Sequence, residues 1–196
     1  MLASARPGLF ACHTCRMPSV SAGLLLYRRA VAPETGERRL EVLLVHPGGP
    51  YWAKKDAGAW SIPKGEADPG ELGPAPATVT AAKARNRAAG ADLLAVALRE
   101  VKEETGLEPD GPYQPLGGVK AHHHKLIYAW AVEHDCDPAS ILSNPFAIEW
   151  PPRSGRQTEF PEVDRAAWLD LPAAREAIVP AQRRFIDDLE IVAGGA

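Results

Sequence analysis

Three glutamates, Glu100, Glu103 and Glu104, are spaced so that they can share one face of a helix. Residues three and four positions apart meet on a helical surface, so their like charges cost roughly 0.2–0.5 kcal/mol per pair. A hard cation such as Mg²⁺, which prefers oxygen ligands, would offset that repulsion. Because glutamate-rich helices are common, the spacing by itself fits a solvated charged face equally well.

The segment that carries these glutamates has the periodicity of an amphipathic helix. An apolar stripe recurs at steps of three and four residues, formed by Leu94, Ala97, Leu98, Val101 and Thr105. Asp92 can cap the start of the helix, and Gly106 can end it in a left-handed turn. We therefore expect a helix over 92–105 that packs on a sheet and presents its carboxylates along the rim.

A turn rich in proline and glycine precedes this helix. Trp60–Glu66 is a short apolar segment that breaks at Pro63, Lys64 and Gly65, and Glu71 follows shortly after. The run Arg-Glu-Val-Lys-Glu-Glu-Thr-Gly-Leu, residues 99–107, completes the pattern. These segments resemble the signature of the Nudix hydrolases, Gly-x5-Glu-x7-Arg-Glu-apolar-x-Glu-Glu-x-Gly-apolar. The run 99–107 matches it at every defined position.

The resemblance extends less specifically from about Ser21 to Leu189 and is nearest to a bacterial Nudix branch of predicted NTP pyrophosphohydrolases. It implies an α/β fold, a Nudix-type α/β/α sandwich with a mixed β-sheet. It also implies an Mg²⁺-dependent enzyme, with Mn²⁺ as a substitute, that binds a small-molecule nucleotide. Such an enzyme cleaves a phosphoanhydride in a nucleoside diphosphate linked to another moiety, as in an NTP, a dinucleoside polyphosphate or a nucleotide sugar.

The resemblance assigns roles to the matching residues. It makes Glu100 and Glu104 the principal metal ligands and implies that Glu103 binds or supports a further ion. A backbone carbonyl of Lys64 or Gly65 would be an additional metal ligand. Arg99 would orient the glutamates by a salt bridge. The residue that accepts the proton of water differs among family members. In this sequence Glu100 is the first candidate for the general base. The second candidate is a glutamate outside the motif, Glu159 or Glu162. The alternative function is a catalytically silent nucleotide-binding sensor or regulator.

An insertion separates the two halves of the motif. The family pattern places its glycine and arginine 14 positions apart, whereas Gly65 and Arg99 are 34 apart, so that about 20 residues, Leu72–Ala91, are added. Counting forward from Gly65 puts the first glutamate at Glu71, but counting back from Arg99 puts Ala91 there. Either Glu71 folds back to its usual place or that carboxylate is lost.

Several other residues are candidates for substrate binding. Lys64 can meet a phosphate as a point charge, and the planar forks of Arg153 and Arg156 suit phosphate oxygens. The alternative for Lys64 is a solvated lysine, and for Arg153 and Arg156 it is an exposed loop charge, which is the favoured interpretation of each arginine taken singly. Aromatic rings that could stack on a base are Tyr51, Trp52, Trp60 and Phe160, of which Trp60 is the best candidate for the core.

The remaining elements follow from apolar runs and turn residues. Strands are expected at Ser21–Arg28, Leu40–His46, Tyr113–Lys120, Lys125–Glu133 and Ala166–Leu169. Helices are expected at Asp137–Leu142, at Leu171–Ile178 after an Asp170 cap, and from Pro180 to Val192. Trp150–Phe160 is expected to be a loop, and both faces of the first two strands to be buried.

Composition restricts the function classes. The 196 residues suit one domain, and a net charge of -3 predicts no general affinity for nucleic acid or membrane. The longest apolar run is too short to span a bilayer.

The odd cysteine count, with Cys12, Cys15 and Cys136, fits a reducing cytoplasm. Cys12 and Cys15 form a lone pair without the four ligands of a structural zinc site, although His122–His124 could be imagined as partners. Residues 1–17 are expected to be a flexible extension and 18–196 the domain.

Overall fold

A mixed β-sheet lies between helices on its two faces. The computed structural model describes residues 19–32, 35–68, 70–71, 93–122 and 125–194. The strands are β1 Val20–Val31, β2 Arg38–Pro47, β3 Lys64–Glu66, β4 Gln114–Lys120, β5 Leu126–Glu133, β6 Pro145–Glu149, β7 Gln157–Pro161 and β8 Val163–Asp170. The helices are α1 Leu93–Thr105, α2 Leu171–Ala177 and α3 Arg183–Gly194, with 3₁₀ turns at Pro138–Ser140 and Pro180–Gln182.

The strand order explains how a short strand reaches the centre of the sheet. The main sheet runs β4-β5-β1-β2-β8, and β3 also pairs with β1. Because β2 pairs with residues 27–31 of β1 and β3 with residues 21–23, the two strands occupy successive parts of one β1 edge. The β1–β5 pair is parallel and the other pairs are antiparallel, so the predicted mixed sheet is confirmed.

The two faces of β1 bury different cores, as the period of two in a strand requires. Leu24 and Leu26 belong to the cluster that includes α1, whereas Leu25 and Tyr27 belong to the cluster that includes α2 and α3. The predicted burial of both strand faces and the three-layer α/β/α architecture are therefore confirmed.

Most predicted elements are present, with small shifts at their ends. Helix α1 coincides with the predicted helix, although its most buried apolar side chains include Leu93 and Val96, while Leu94 is only partly buried. Gly106 ends it with φ 73°, and Asp170 caps α2 by accepting from the Ala173 N–H at 2.9 Å. In place of the predicted helix at Asp137–Leu142 the structure has only the 3₁₀ turn Pro138–Ser140. The helix predicted from Pro180 begins as the 3₁₀ turn Pro180–Gln182 and continues as α3.

The prediction of a loop at Trp150–Phe160 was wrong in part. Residues Gln157–Pro161 form β7, which pairs with β6 in a separate two-stranded sheet. Both strands alternate exposed and half-buried residues, so neither is part of the buried core. Their pairing is helped by a contact between the rings of Phe146 and Phe160, 6.3 Å apart, which local sequence does not reveal.

Some predictions fall outside the described residues. These are the flexible extension 1–17 with Cys12 and Cys15, the insertion 72–91, the Asp92 cap, and His123 and His124. Cys136 is a free, half-buried thiol. Within the described ranges, no helix is long and apolar enough to cross a membrane.

Buried Glu41 on β2 binds two arginines, Arg28 on the neighbouring β1 and Arg39 on β2 itself. Its residue is 5% exposed, and its two carboxylate oxygens accept hydrogen bonds of 2.8 and 2.9 Å from Arg28 and of 2.6 and 3.0 Å from Arg39. Burial opposes ionisation, but the two guanidinium groups outweigh it and lower the pKa of Glu41.

We expect Glu41→Gln to lower the free energy of unfolding by about 2 kcal/mol at pH 7, since hydrogen bonds to charged partners are worth about 1.5–3 kcal/mol. A carboxyl group whose pKa is lowered by folding stabilises the folded state at pH values above its unfolded-state pKa. This stabilisation is lost as the pH falls through the pKa of the folded state. Urea unfolding should therefore show the difference shrinking towards pH 3. Glu133→Gln is the control, because the Glu133 side chain is 50% exposed beside Arg29. An equal loss in both variants would contradict the prediction.

Candidate active site

The glycine turn at β3 is joined directly to the last turn of α1. The backbone N–H of Lys64 donates to Oε2 of Glu104 at 2.7 Å. The register of β3 against β1 fixes the turn, with Gly23 opposite Lys64 and Ala22 opposite Gly65. Helix α1 packs on both β1 and β3, so its carboxylates lie at the edge where β3 begins.

Gly65 provides the space in which Glu100 lies. A Cβ atom built on Gly65 would come within 1.6 Å of Oε2 of Glu100 and 2.1 Å of its carboxyl carbon. The side chain of Glu100 is 13% exposed, so it lies against the turn and is not directed into solvent. A residue with any side chain at position 65 would displace this carboxylate.

Arg99 connects the two halves of the motif. Its guanidinium group lies 2.7 Å from Glu100 Oε1, 3.2 Å from Glu103 Oε2 and 3.0 Å from Glu71 Oε2. Glu71 also accepts from the Asp68 N–H at 2.8 Å, and this bond together with Arg99 lowers the pKa of Glu71. Of the two alternatives for the insertion, the structure therefore has Glu71 folded back beside Arg99.

Glu104 is the most perturbed acid of the helix. Burial, with the nearby charges of Glu100 and Glu162, raises its pKa to about 7, although the Lys64 ammonium and N–H act against the shift. Burial also lowers the pKa of Lys64, and the charge of Lys125 adds to this effect. Burial likewise raises the pKa of Glu100. The site thus concentrates partly buried carboxylates around one lysine.

The donors suit a hard cation, although they are not gathered around one point. Among the described residues, no group of three or more His, Cys, Asp and Glu side chains is arranged to hold a metal ion. Glu103 is 51% exposed and turns towards Arg99. The other two carboxylates, Glu100 and Glu104, both border the turn at Gly65, and a set of oxygen donors next to a buried acid with a raised pKa fits Mg²⁺ or Mn²⁺.

The residues predicted to bind substrate lie in two places. Lys64 is half-buried within the carboxylate cluster, where its ammonium interacts with Glu104, Glu100 and Glu162. Arg153 and Arg156 are exposed in the connection between β6 and β7. Neither forms an ion pair with a described residue.

The aromatic candidates also divide into two groups. Trp60 is 7% exposed and donates to Asp56 Oδ1 at 2.7 Å, so the expectation that it belongs to the core is confirmed. Tyr51 and Trp52 are exposed, and Phe160 lies on β7 against Phe146. Sequence reasoning missed Trp150, which contacts Tyr51, and Lys125, which forms an ion pair with Glu66 at 3.3 Å. Only the pairing of distant strands brings these residues together.

The fold is similar to that of three solved structures. A Caenorhabditis elegans Ap4A hydrolase in a binary complex is 18% identical, with a TM-score of 0.52 over 90% of this chain and 99% of that chain. A mutT/nudix family protein from Listeria innocua is 14% identical, with a TM-score of 0.55 over 92% and 97% of the two chains. A NUDIX hydrolase from Nitrosomonas europaea is 19% identical, with a TM-score of 0.51 over 91% and 90%.

These similarities define the class of the protein: the chain has the Nudix fold. The family resemblance that the motif predicted is thereby confirmed at the level of the fold. No protein-family model matches the sequence, and no curated protein matches it.

We expect Glu104→Gln to stabilise the metal-free protein increasingly as pH rises. A carboxyl group whose pKa is raised by folding, here from 4.5 to about 7, destabilises the folded state progressively across that interval. Urea unfolding in EDTA should give a difference of up to about 2 kcal/mol at pH 8, because one pKa unit is worth about 1.4 kcal/mol and the attraction to Lys64 is lost.

The same difference should be small at pH 5, where the wild-type carboxyl is neutral in the folded state. Glu103→Gln serves as the control, because that half-exposed carboxylate comes from the same helical turn. A Glu104→Gln effect that did not change between pH 5 and pH 8 would contradict the prediction.

Proposed function

We propose that this protein is an Mg²⁺-dependent hydrolase that cleaves a phosphoanhydride bond in a nucleoside diphosphate linked to another moiety. The observation that carries the proposal is the convergence of Glu104 and Glu100 on the glycine turn, with the Lys64 N–H 2.7 Å from Glu104. Buried like-charged carboxylates are costly unless a cation or phosphate-bound metal compensates them. The similarity to the Nudix fold supports the same class of chemistry.

The residues that would hold the metal are Glu100 and Glu104, with a backbone carbonyl of Lys64 or Gly65, and Glu103 for a further ion. A bound Mg²⁺ would neutralise phosphate charge and lower the pKa of a water molecule. Arg99 has a positioning role, because its bonds to Glu71, Glu100 and Glu103 fix the carboxylates relative to the turn.

Lys64 and Glu162 complete the proposed site. The Lys64 ammonium can neutralise a substrate phosphate, as a point charge does without demanding a fixed geometry. Glu100 remains the first candidate for the base. Glu162 is favoured over Glu159 as the second, because its charge acts on both Glu104 and Lys64.

The direct test is release of nucleotide and phosphate from a substrate panel with Mg²⁺, containing an NTP, a dinucleoside tetraphosphate and a nucleotide sugar. We expect turnover of at least one substrate, and Glu100→Gln should lower kcat by about 100-fold or more. Glu108→Gln is the matched control, because Glu108 is 70% exposed and pairs with the exposed Lys102. Nucleotide binding without release from any member of the panel would instead support a catalytically silent sensor.

A second variant tests the geometry of the turn. We expect Gly65→Ala to keep the fold, since the atom it displaces belongs to the flexible end of Glu100, but to lower kcat by about 100-fold, as misplacement of about 1 Å can do. Melting temperature and kcat would be measured together. Gly70→Ala is the control, because a Cβ there meets nothing within 4 Å. Full activity of Gly65→Ala would exclude the proposed ligand position.

A further inference from the structure

A fully buried histidine near the end of β2 contacts two other segments of the chain. The Nδ1 atom of His46 lies 2.6 Å from Oδ1 of Asp164 at the start of β8. Its Nε2 atom lies 2.8 Å from the backbone oxygen of Lys55. Because a carboxylate and a carbonyl oxygen both accept hydrogen bonds, the two contacts are satisfied together when both ring nitrogens donate. The ring therefore joins β2 to β8 and to the loop that follows β2.

Asp164 is the extra residue of a β-bulge. Arg165 lies opposite His46 and Val163 lies opposite Pro47, so the pairing between β2 and β8 shifts by one residue at this point. A bulge bends its strand and redirects the side chains beside it. Since successive side chains of a strand point to opposite faces, the bulge decides which face the residues before Asp164 occupy.

Glu162 comes immediately before β8, and backbone hydrogen bonds hold it on both sides. The Gly48 N–H donates to the Glu162 carbonyl at 2.8 Å, and the Glu162 N–H donates to the Asn144 carbonyl at 2.9 Å. A Cβ on Gly48 would lie 1.9 Å from the Pro161 carbonyl oxygen, so only glycine permits this approach. The backbone of Glu162 is thus tied both to the end of β2 and to the segment before β6.

The segment before β6 also reaches the end of α1. The Leu142 N–H donates to the Thr105 carbonyl at 3.3 Å, and Thr105 directly follows Glu104. One short segment therefore contacts both the last turn of α1 and Glu162. In agreement with this path, the charge of Glu162 acts on Glu104 and Lys64.

From these contacts we propose that the His46–Asp164 pair positions Glu162 for the proposed hydrolysis. By holding the bulge, the pair fixes the start of β8 and hence the side from which Glu162 approaches Glu104. The inference rests on the proposed function, because the pair contacts no substrate and acts only through Glu162. His46 and Asp164 are positioning residues in this scheme.

Hydrogen exchange tests the anchoring without requiring turnover. The amides of Gly48 and Glu162 report on the two backbone bonds that hold Glu162. We expect Asp164→Ala to speed the exchange of both amides by about tenfold, the effect of losing one buried hydrogen bond. Asp164→Asn should exchange like the wild type, because an amide can either accept from the ring or donate to it. Unchanged exchange in Asp164→Ala would overturn the proposal.

Asp170→Ala is the matched control for this experiment. Asp170 lies at the other end of β8 and also accepts one hydrogen bond, from the Ala173 N–H at 2.9 Å. The variant should lower the melting temperature without changing the exchange of Gly48 or Glu162. Equal acceleration in Asp164→Ala and Asp170→Ala would reveal a general loss of stability and would also overturn the proposal.

A double-mutant cycle on turnover tests whether the pair acts through Glu162. On a substrate that the protein hydrolyses, Glu162→Gln and Asp164→Ala should each lower kcat by about tenfold or more. The double variant should be no slower than Glu162→Gln alone, because the position of an absent carboxylate no longer matters. Effects that multiplied, or full activity of Glu162→Gln, would contradict the positioning role.

The failure of this inference can be distinguished from failure of the proposed function. A protein that hydrolysed no member of the substrate panel would refute the hydrolase, while the exchange rates would still decide whether the pair anchors Glu162. Turnover that was insensitive to Asp164→Ala would refute the positioning role and leave the hydrolase intact.

Discussion

The contact between the glycine turn and the final turn of α1 organises the rest of the site. Glu104 accepts the Lys64 N–H, and Glu100 occupies the space left by the absent side chain of Gly65. This contact requires β3 to pair with the start of β1 and α1 to pack on both strands. A small strand of three residues is therefore essential, since it sets the distance between backbone donors and helix carboxylates.

The site balances repulsion with a small number of cations. Arg99 binds Glu71, Glu100 and Glu103, while Lys64 faces Glu104. Arg99 thereby compensates the negative charge of these three glutamates, and its position on the helix orients them. No arginine in the described part of the chain pairs with Glu104, and burial raises its pKa to about 7. Glu100 also binds Arg99, but its side chain is 13% exposed against the turn, whereas that of Glu103 is 51% exposed. Burial at the turn is therefore the physical basis for treating Glu100 and Glu104, and not Glu103, as the centre of the proposed chemistry.

The Glu71–Arg99 ion pair also explains how the motif accommodates an insertion of about 20 residues. The cost of closing a longer loop grows slowly, by about 0.6 kcal/mol for each doubling of its length. The hydrogen bonds that Glu71 makes with Arg99 and with Asp68 keep the near end of the insertion in place. The described residue before the insertion, Glu71, thus keeps its place beside Arg99.

The sequence by itself determined the helix with its acidic face, the glycine that ends it, the Asp170 cap and the burial of both faces of β1. Each of these depends on neighbours a few residues apart, whose periodicity is written in the chain. It left the place of Glu71 open, missed β3, β6 and β7 as strands, and did not identify Trp150 or Lys125. Those features depend on contacts between distant segments, such as Tyr51 with Trp150, and on which carboxylate becomes buried. Only the tertiary structure decides them, because burial and long-range pairing are properties of the packed chain and not of any local pattern.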